Sequence, residues 1–241
     1  MGSVFWGELL GTATLILLGN GVVACVLLNR SKGQNSGWMV ITSGWAFAVL
    51  SGVFVAVALG SPGYINPAVA VGLAIDHGGW GKLPMAIAGE FAGAFVGGTL
   101  VWLHFLPHWA ETEDKGLKLA CFCTGPAIRN TIANLISEII GTFVLVFVVG
   151  AIFSKTAAPN GLAGGLGPYL AASLVWGIGL SLGGTTGYAI NPARDLGPRI
   201  AHALLPIAGK GGADWSYAAI PVVGPMIGGT LAGALLSVFG I

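Results

Sequence analysis

A tripeptide that occurs twice, Asn-Pro-Ala, constrains this chain more than any other feature. Asn is a preferred helix N-cap and Pro is favoured at the first helical position, so each copy predicts the start of a helix. From Pro67 the apolar run reaches only to about Ile75. About ten residues of helix cover half of a hydrocarbon core about 30 Å thick. We therefore expect two half-helices whose N-termini, with unpaired N–H groups and positive dipole ends, meet near the membrane centre. The two copies are Asn66, Pro67, Ala68 and Asn191, Pro192, Ala193.

The composition is typical of a membrane protein. Of 241 residues, 55% are hydrophobic and only 8% are charged, which is outside the range of soluble domains of this size. The net charge of +1 gives no argument for nucleic acid as a partner. Hydropathy predicts an all-α polytopic membrane protein, a single domain over residues 1–241, with six transmembrane helices besides the two half-helices. The predicted spans are residues 4–28, 38–59, 82–105, 131–153, 168–185 and 215–241.

The two halves of the chain repeat each other. Residues 7–12, Gly-Glu-Leu-Leu-Gly-Thr, match residues 137–142, Ser-Glu-Ile-Ile-Gly-Thr. Repeat one covers about 1–105, a polar linker about 106–130, and repeat two about 131–241. Each repeat has three spans and one half-span, an odd number of crossings, so the two repeats insert with opposite orientation. Such inverted repeats place a transport site at their interface, near the midplane.

Three acidic residues lie inside predicted spans, where charge is costly. Glu8 and Glu138 occupy equivalent repeat positions, and we expect each to accept hydrogen bonds from the irregular loop before a half-helix. A transport role is the alternative for this pair. Glu90 has no equivalent in the other half: it braces a loop, or it is a protonatable group facing a pore.

Arg194 directly follows the second motif, in the first turn of the second half-helix. A cation there opposes the helix dipole, so its position needs a reason. Five N–H donors and a fixed charge that repels cations in an aqueous lumen would supply one; a residue snorkelling to the surface is the alternative. Asn66 and Asn191 can each cap a helix with the side-chain oxygen and leave the NH₂ group free for a passing solute.

No pattern in the sequence indicates enzymatic chemistry. We find no metal cluster, phosphate loop or nucleophile elbow, so neither a cofactor nor an enzyme activity is expected. The histidines lack ligand spacing and are expected at interfaces or in loops: His77, His104, His108 and His202.

The duplicated Asn-Pro-Ala, the paired Glu-x-x-Gly-Thr segments and the order of spans resemble the major intrinsic protein family, which comprises aquaporins and aquaglyceroporins. The resemblance covers essentially the whole chain. It implies two half-helices meeting at mid-membrane and a homotetramer with one pore in each protomer. It also implies a multi-pass protein of the cell membrane, here a bacterial plasma membrane, with both termini cytoplasmic.

The resemblance also assigns residues. The constriction corresponds to Trp45, Gly179, Tyr188 and Arg194. Gly179 stands where water channels usually place His, which implies a wider pore, with Trp45 and Tyr188 forming an apolar corner opposite Arg194. Asp195 after the motif resembles the glycerol branch, whereas Tyr188 stands where that branch usually has Phe. The implied ladder of backbone carbonyl acceptors comprises Pro62, Gly63, Tyr64, Ile65, Gly187, Tyr188, Ala189 and Ile190.

The expected function is a passive channel for small uncharged solutes, chiefly glycerol and water, within a lipid bilayer. Urea, dihydroxyacetone and undissociated small organic acids such as lactic acid are further candidates. Two alternatives stay open at this point. One is a strict water channel, against which Gly179 argues. The other is a proton-coupled secondary transporter that uses Glu90, because broken helices and inverted repeats suit transporters equally well.

Overall fold

The computed structural model of the chain describes residues 2–241. Helices joined by loops make up this part of the chain, and it contains no β-strand. A single 3₁₀ turn, Trp80–Lys82, precedes the fourth helix. The α-helices are α1 Gly2–Leu27, α2 Trp38–Ala58, α3 Pro67–His77, α4 Leu83–His104, α5 His108–Glu111, α6 Lys115–Ala120, α7 Thr131–Phe153, α8 Leu166–Leu182, α9 Pro192–Leu204 and α10 Ile220–Phe239.

The predicted all-α membrane fold is confirmed, with shifted boundaries. Helices α1, α2, α4, α7 and α10 are long and apolar enough to cross a membrane, and α8 is apolar with 17 residues, at the short end of the spanning range. The half-helices α3 and α9 have 11 and 13 residues. The linker, predicted only as a polar stretch, contains the short helices α5 and α6, and its residues 121–124 are buried.

In each repeat, small residues let the first and third spanning helices approach each other closely. Helix α4 packs on α1, and α10 packs on α7. A Cβ added at Gly93 would overlap the carbonyl oxygen of Leu9, and one added at Gly228 would overlap that of Ile139. This is the close packing that small residues at four-residue spacing predict for membrane helices.

Each half-helix also packs against a spanning helix of the other repeat. Helix α3 lies on α10, where a Cβ at Gly229 would be 2.5 Å from the carbonyl oxygen of Ala68. Helix α9 lies on α4, where a Cβ at Gly197 would be 2.5 Å from the Cβ of Ala94. This crossed packing holds the two motif-bearing N-termini in the interior of the protein.

Candidate channel and constriction

Both half-helices begin at the Asn of the motif. The Asn66 Oδ1 atom accepts a hydrogen bond from the N–H of Ala68 at 2.9 Å. The Asn191 Oδ1 atom accepts from the N–H groups of Ala193 and Arg194 at 3.0 and 3.1 Å. Pro occupies the first helical position in each case. The local structure is the one that Asn caps followed by Pro favour.

The two motifs are joined by a reciprocal pair of hydrogen bonds. The Asn66 Nδ2 atom donates to the carbonyl of Ile190, and the Asn191 Nδ2 atom donates to the carbonyl of Ile65, both at 2.8 Å. The NH₂ group of each Asn, which the sequence left for a solute, is thus partly used within the protein. One N–H of each amide is used by the partner loop, and only the second is left for a solute.

Glu8 braces the loop before α3. Its Oε1 atom accepts hydrogen bonds from the hydroxyl of Ser61 at 2.6 Å and from the N–H groups of Gly63 and Tyr64 at 3.0 Å. Its Oε2 atom accepts from the N–H of Ile65 at 2.7 Å. The carboxylate is fully buried, so it satisfies backbone donors that have neither helix nor water to pair with.

Glu138 occupies the equivalent place in the second repeat. Its Oε1 atom accepts from the hydroxyl of Thr186 at 2.6 Å and from the N–H of Ala189 at 3.0 Å. Its Oε2 atom accepts from the N–H of Ile190 at 2.8 Å. The matching positions predicted from the repeat thus make matching contacts.

These carboxylates hold a strained backbone. Ile65 and Ile190 have φ of 45° and 42°, and Tyr188 has φ of 38°. Side chains, above all β-branched ones, are disfavoured in this left-handed region, at a cost on the order of 1–3 kcal/mol for each residue. Because the N–H groups of both isoleucines are fixed by buried carboxylates, the loops keep a conformation that the local sequence alone would not choose.

Glu90 is also a bracing group. It is fully buried, and its Oε1 atom accepts a hydrogen bond from the backbone N–H of Asn66 at 3.1 Å. Glu90 does not line the cavity that contains Asn66 and Asn191. Of the two interpretations that the sequence left open, the structure favours the brace over the pore-facing acid.

One long cavity of about 610 Å³ runs past the paired motifs. Its lining includes three of the four predicted constriction residues, Trp45, Tyr188 and Arg194, and both motif asparagines, Asn66 and Asn191. Most of the remaining lining is apolar and comes from α2, α3, α7, α8 and the 162–165 loop. The cavity therefore combines a polar strip with apolar walls, which suits a small molecule that has both kinds of surface.

Backbone carbonyls supply part of the polar strip. Of the eight residues predicted to form the carbonyl ladder, all but Gly187 line the cavity. The carbonyls of Ile65 and Ile190 accept hydrogen bonds from the motif amides. Those of Pro62, Gly63, Tyr64, Tyr188 and Ala189 accept none from residues 2–241 and are available to a solute.

Arg194 lies against the wall of the cavity. It is 7% exposed, and its Cζ atom is 4.1 Å from the centroid of the Trp45 ring. Its Nη1 atom is 3.5 Å from the Oδ1 atom of Asn20 on α1. The expectation that Trp45 faces Arg194 across the pore is wrong, because a guanidinium removed from water is attracted to the face of an indole ring. Burial also excludes the alternative of a snorkelling surface residue.

The ring of Tyr188 occupies the space beside Gly179. A Cβ added at Gly179 would be 2.9 Å from the Cζ atom of Tyr188 and 3.0 Å from the Cγ2 atom of Thr42. Trp38 fixes the arrangement: its Nε1–H donates to the carbonyl of Gly179 at 3.1 Å, and its ring meets that of Tyr188 edge to face. The absence of a side chain at position 179 thus makes room for the ring of Tyr188.

A buried ion pair fastens the linker beside the constriction. The Nε–H of Arg199 donates to the Oδ1 atom of Asp195 at 2.8 Å, and both side chains are fully buried. The Asp195 Oδ2 atom accepts from the N–H and the hydroxyl of Thr124, both at 2.7 Å. Arg199 also donates to the carbonyls of Ala213 and Asp214. Asp195 and Arg199 of α9 therefore fix both the linker at Thr124 and the loop before α10.

Three other polar or reactive groups lie near this linker. His202 was expected at an interface or in a loop, but its side chain is fully buried in α9, with its ring centroid 5.3 Å from that of Phe122. Cys121 and Cys123 are free thiols, and burial raises the pKa of both. Residues 2–241 contain no group of three or more potential metal ligands.

Sequence reasoning missed Asn20, Trp38 and Thr124. Asn20 carried a usable signal, since it is an uncharged polar residue in the middle of an apolar span. Trp38 gave no distinguishing signal, because a Trp at the end of a membrane span is typical of the membrane–water interface. Thr124 gave no signal, because its partner Asp195 is distant in sequence.

The protein has membrane-crossing helices in an inverted repeat, two half-helices joined tip to tip, and a cavity lined by both motif asparagines. Together these features define a membrane channel and not an enzyme. The chain belongs to the major intrinsic protein family, whose family model, described as Major intrinsic protein, matches residues 3–236.

Similar proteins support the assignment over the full length. A probable glycerol uptake facilitator protein of Thermotoga maritima is 56% identical over 234 residues, with 97% of each chain covered. A glycerol uptake facilitator protein of Streptococcus pneumoniae serotype 4 is 55% identical over 235 residues, with 97% of this chain and 98% of the relative covered. The X-ray structure of the aquaglyceroporin from Plasmodium falciparum superposes with a TM-score of 0.87 at 26% identity, over 98% of this chain and 95% of that one.

Proposed function

We propose that the protein is a passive channel for glycerol and water. The observation that carries this proposal is the mixed lining of the cavity, which combines Arg194 and residues with unpaired backbone carbonyls with a majority of apolar side chains. Each hydroxyl of glycerol both donates and accepts hydrogen bonds, and each of its carbons is apolar. A carbonyl strip can accept from the hydroxyls in turn while the carbon chain slides along the apolar wall.

Similarity supports the same solute. The relatives from Thermotoga maritima and Streptococcus pneumoniae are named as glycerol uptake facilitators, and the similar solved structure is that of an aquaglyceroporin. Urea, dihydroxyacetone and undissociated lactic acid are also small and neutral, so they belong in the panel of solutes to be measured.

We assign the exclusion of ions to two places in the channel: the meeting point of the half-helices and the constriction at Arg194. The positive ends of α3 and α9 converge where Asn66 and Asn191 meet, and Arg194 adds a fixed positive charge. A cation entering the cavity would lose its hydration shell against apolar walls and would be repelled by both positive fields. A neutral solute has no net charge to be repelled and costs much less to dehydrate.

Flux measurements on reconstituted protein test the proposal. Proteoliposomes are mixed rapidly with glycerol or with an impermeant osmolyte, and light scattering follows their volume. We expect faster glycerol entry and faster water exit than in protein-free vesicles, with no uptake against a gradient. Rates equal to those of empty vesicles for glycerol would refute the proposed solute.

A strict water channel is the second candidate, and one observation favours it. The Tyr188 ring fills the room beside Gly179, so the constriction is narrower than the loss of a side chain at 179 suggests. Water flux above background with glycerol flux at background would establish this alternative.

The position of Glu90 argues against a proton-coupled transporter, because its carboxylate is bonded to the Asn66 backbone away from the cavity. Uphill solute accumulation driven by a pH gradient and lost in Glu90→Gln would support the transporter. We expect no such accumulation.

We further propose a homotetramer with cytoplasmic termini. Large apolar side chains outside the cavity are exposed along the helices, among them Phe47, Ile132, Ile136 and Ile140. In a tetramer some of these would contact a neighbouring copy and the others lipid. Native mass spectrometry in detergent measures the copy number, and a reporter fused to the C-terminus reads the orientation.

A further inference from the structure

Asn20 is a fully buried amide in the C-terminal half of α1, and it contacts two other parts of the protein. Its Nδ2 atom donates to the backbone carbonyl of Phe122 in the linker at 2.9 Å. Its Oδ1 atom faces the Nη1 atom of Arg194 at 3.5 Å. The partners dictate this orientation, because a carbonyl can only accept and a guanidinium can only donate hydrogen bonds.

Among residues 2–241, Asn20 is the only residue whose side chain accepts a hydrogen bond from the Arg194 guanidinium. Gly19, next to Asn20 in the sequence, allows the second contact of that guanidinium, which is with the Trp45 ring. Gly19 lies under the Trp45 ring, and a Cβ there would overlap the ring atoms. One turn of α1 thus provides both the space for the indole and the acceptor for the guanidinium that stacks on it.

We propose that Asn20 is a positioning residue of the constriction: it holds Arg194 against the α1 wall and links that position to the Phe122 backbone. This inference rests on the proposed function and names a determinant of its selectivity. The guanidinium is at the end of a long flexible side chain. Without an acceptor on α1, it would turn toward the free carbonyls of Tyr188 and Ala189 that line the same cavity. A guanidinium across the lumen would obstruct glycerol more than the smaller water molecule.

Substitutions at Asn20 separate positioning from packing. Asn20→Leu keeps the size of the side chain and removes both hydrogen bonds. Asn20→Asp keeps an acceptor for Arg194 but removes the donor to Phe122. Thr12→Val is the matched control, since Thr12 is buried on the same helix, has no hydrogen-bond partner for its hydroxyl, and does not touch Arg194.

We expect Asn20→Leu to lower the ratio of glycerol to water permeability by about tenfold, the change expected for a hydrogen bond to a charged group. Asn20→Asp and Thr12→Val should keep the wild-type ratio. In an Arg194→Val background Asn20→Leu should have no further effect on the ratio, because the group that Asn20 positions is absent. A purely structural role would reduce both fluxes equally in both backgrounds, and that result would overturn the inference.

A second readout does not depend on the identity of the solute. In cryo-electron microscopy maps the Arg194 guanidinium should lie beside Asn20 in the wild type and away from α1 in Asn20→Leu. An unchanged guanidinium in the variant would overturn the inference even if the protein failed to conduct glycerol. Absence of glycerol flux in the wild type, with the guanidinium displaced as expected in the variant, would refute the proposed solute alone.

Discussion

Tyr188 and Gly179 share one space: the Cζ atom of the tyrosine lies 2.9 Å from where a Cβ on the glycine would be. The two residues come from different elements, α8 and the loop before α9. Trp38 stabilises this arrangement, because its Nε1–H donates a hydrogen bond to the carbonyl of Gly179 and its ring packs against that of Tyr188. The width of the constriction at this side is therefore set by the pair and not by either residue alone.

The first prediction concerns Gly179→Ala. The added methyl group cannot fit while the Tyr188 ring stays in place, so the ring moves toward the lumen. We expect glycerol permeability to fall severalfold, consistent with an overpacking cost of about 1–3 kcal/mol, while water permeability falls less. Gly177→Ala on the same helix is the control, because a Cβ there meets nothing within 4 Å. Equal glycerol rates in both variants would contradict the shared space.

The second prediction concerns Arg194→Val. Removing the guanidinium widens the constriction and removes its fixed charge, so neutral solute flux should be unchanged or raised while cation or proton leak increases. A pH-sensitive dye trapped in proteoliposomes measures the proton leak. Lys155→Val, which removes an exposed positive charge outside the cavity, should leave the leak at the wild-type level. A leak that does not change in Arg194→Val would count against the assigned role.

The third prediction concerns Glu138→Gln. The variant replaces a carboxylate oxygen that accepts buried hydrogen bonds with an NH₂ donor. At least one donor of the strained loop then lacks an acceptor, at a cost of about 1–3 kcal/mol. Thermal unfolding in detergent should occur at a lower temperature, with less folded channel recovered. Glu113→Gln, on the exposed linker, is the neutral control.

The fourth prediction concerns the thiols of Cys121 and Cys123. Burial hides both from solvent and raises the pKa of each, so thiolate is scarce even in mildly alkaline buffer. In a Cys25→Ser background, a maleimide should label neither thiol until the protein is denatured, and raising the pH from about 7 to about 9 should add little. Rapid labelling of the folded protein, detected by intact-protein mass spectrometry, would show that residues 121–123 are more accessible than the structure indicates.

The sequence was most informative where chemistry is local or repeated. Asn66 and Asn191 predicted both half-helices because capping depends on a few adjacent residues. The matched positions of Glu8 and Glu138 pointed to equivalent contacts because the two halves of the chain repeat each other. By contrast, the stacking of Arg194 on Trp45 and the fit of Tyr188 beside Gly179 depend on side-chain directions between distant elements. In both cases the family resemblance assigned the residues to the constriction but did not give these contacts.

Asn20 illustrates the same limit more sharply. Its polarity within an apolar helix was visible, but its partners are 102 and 174 residues away in the sequence. The burial of His202 was missed for a related reason, since the half-helix that carries it is enclosed by other parts of the chain.

The crossed hydrogen bonds between Asn66 and Ile190 and between Asn191 and Ile65 make the two halves of the chain depend on each other. Each half by itself would leave one amide N–H and one carbonyl without these partners. Neither half therefore holds all the partners of its own motif, and the interior is complete only when both halves have folded together.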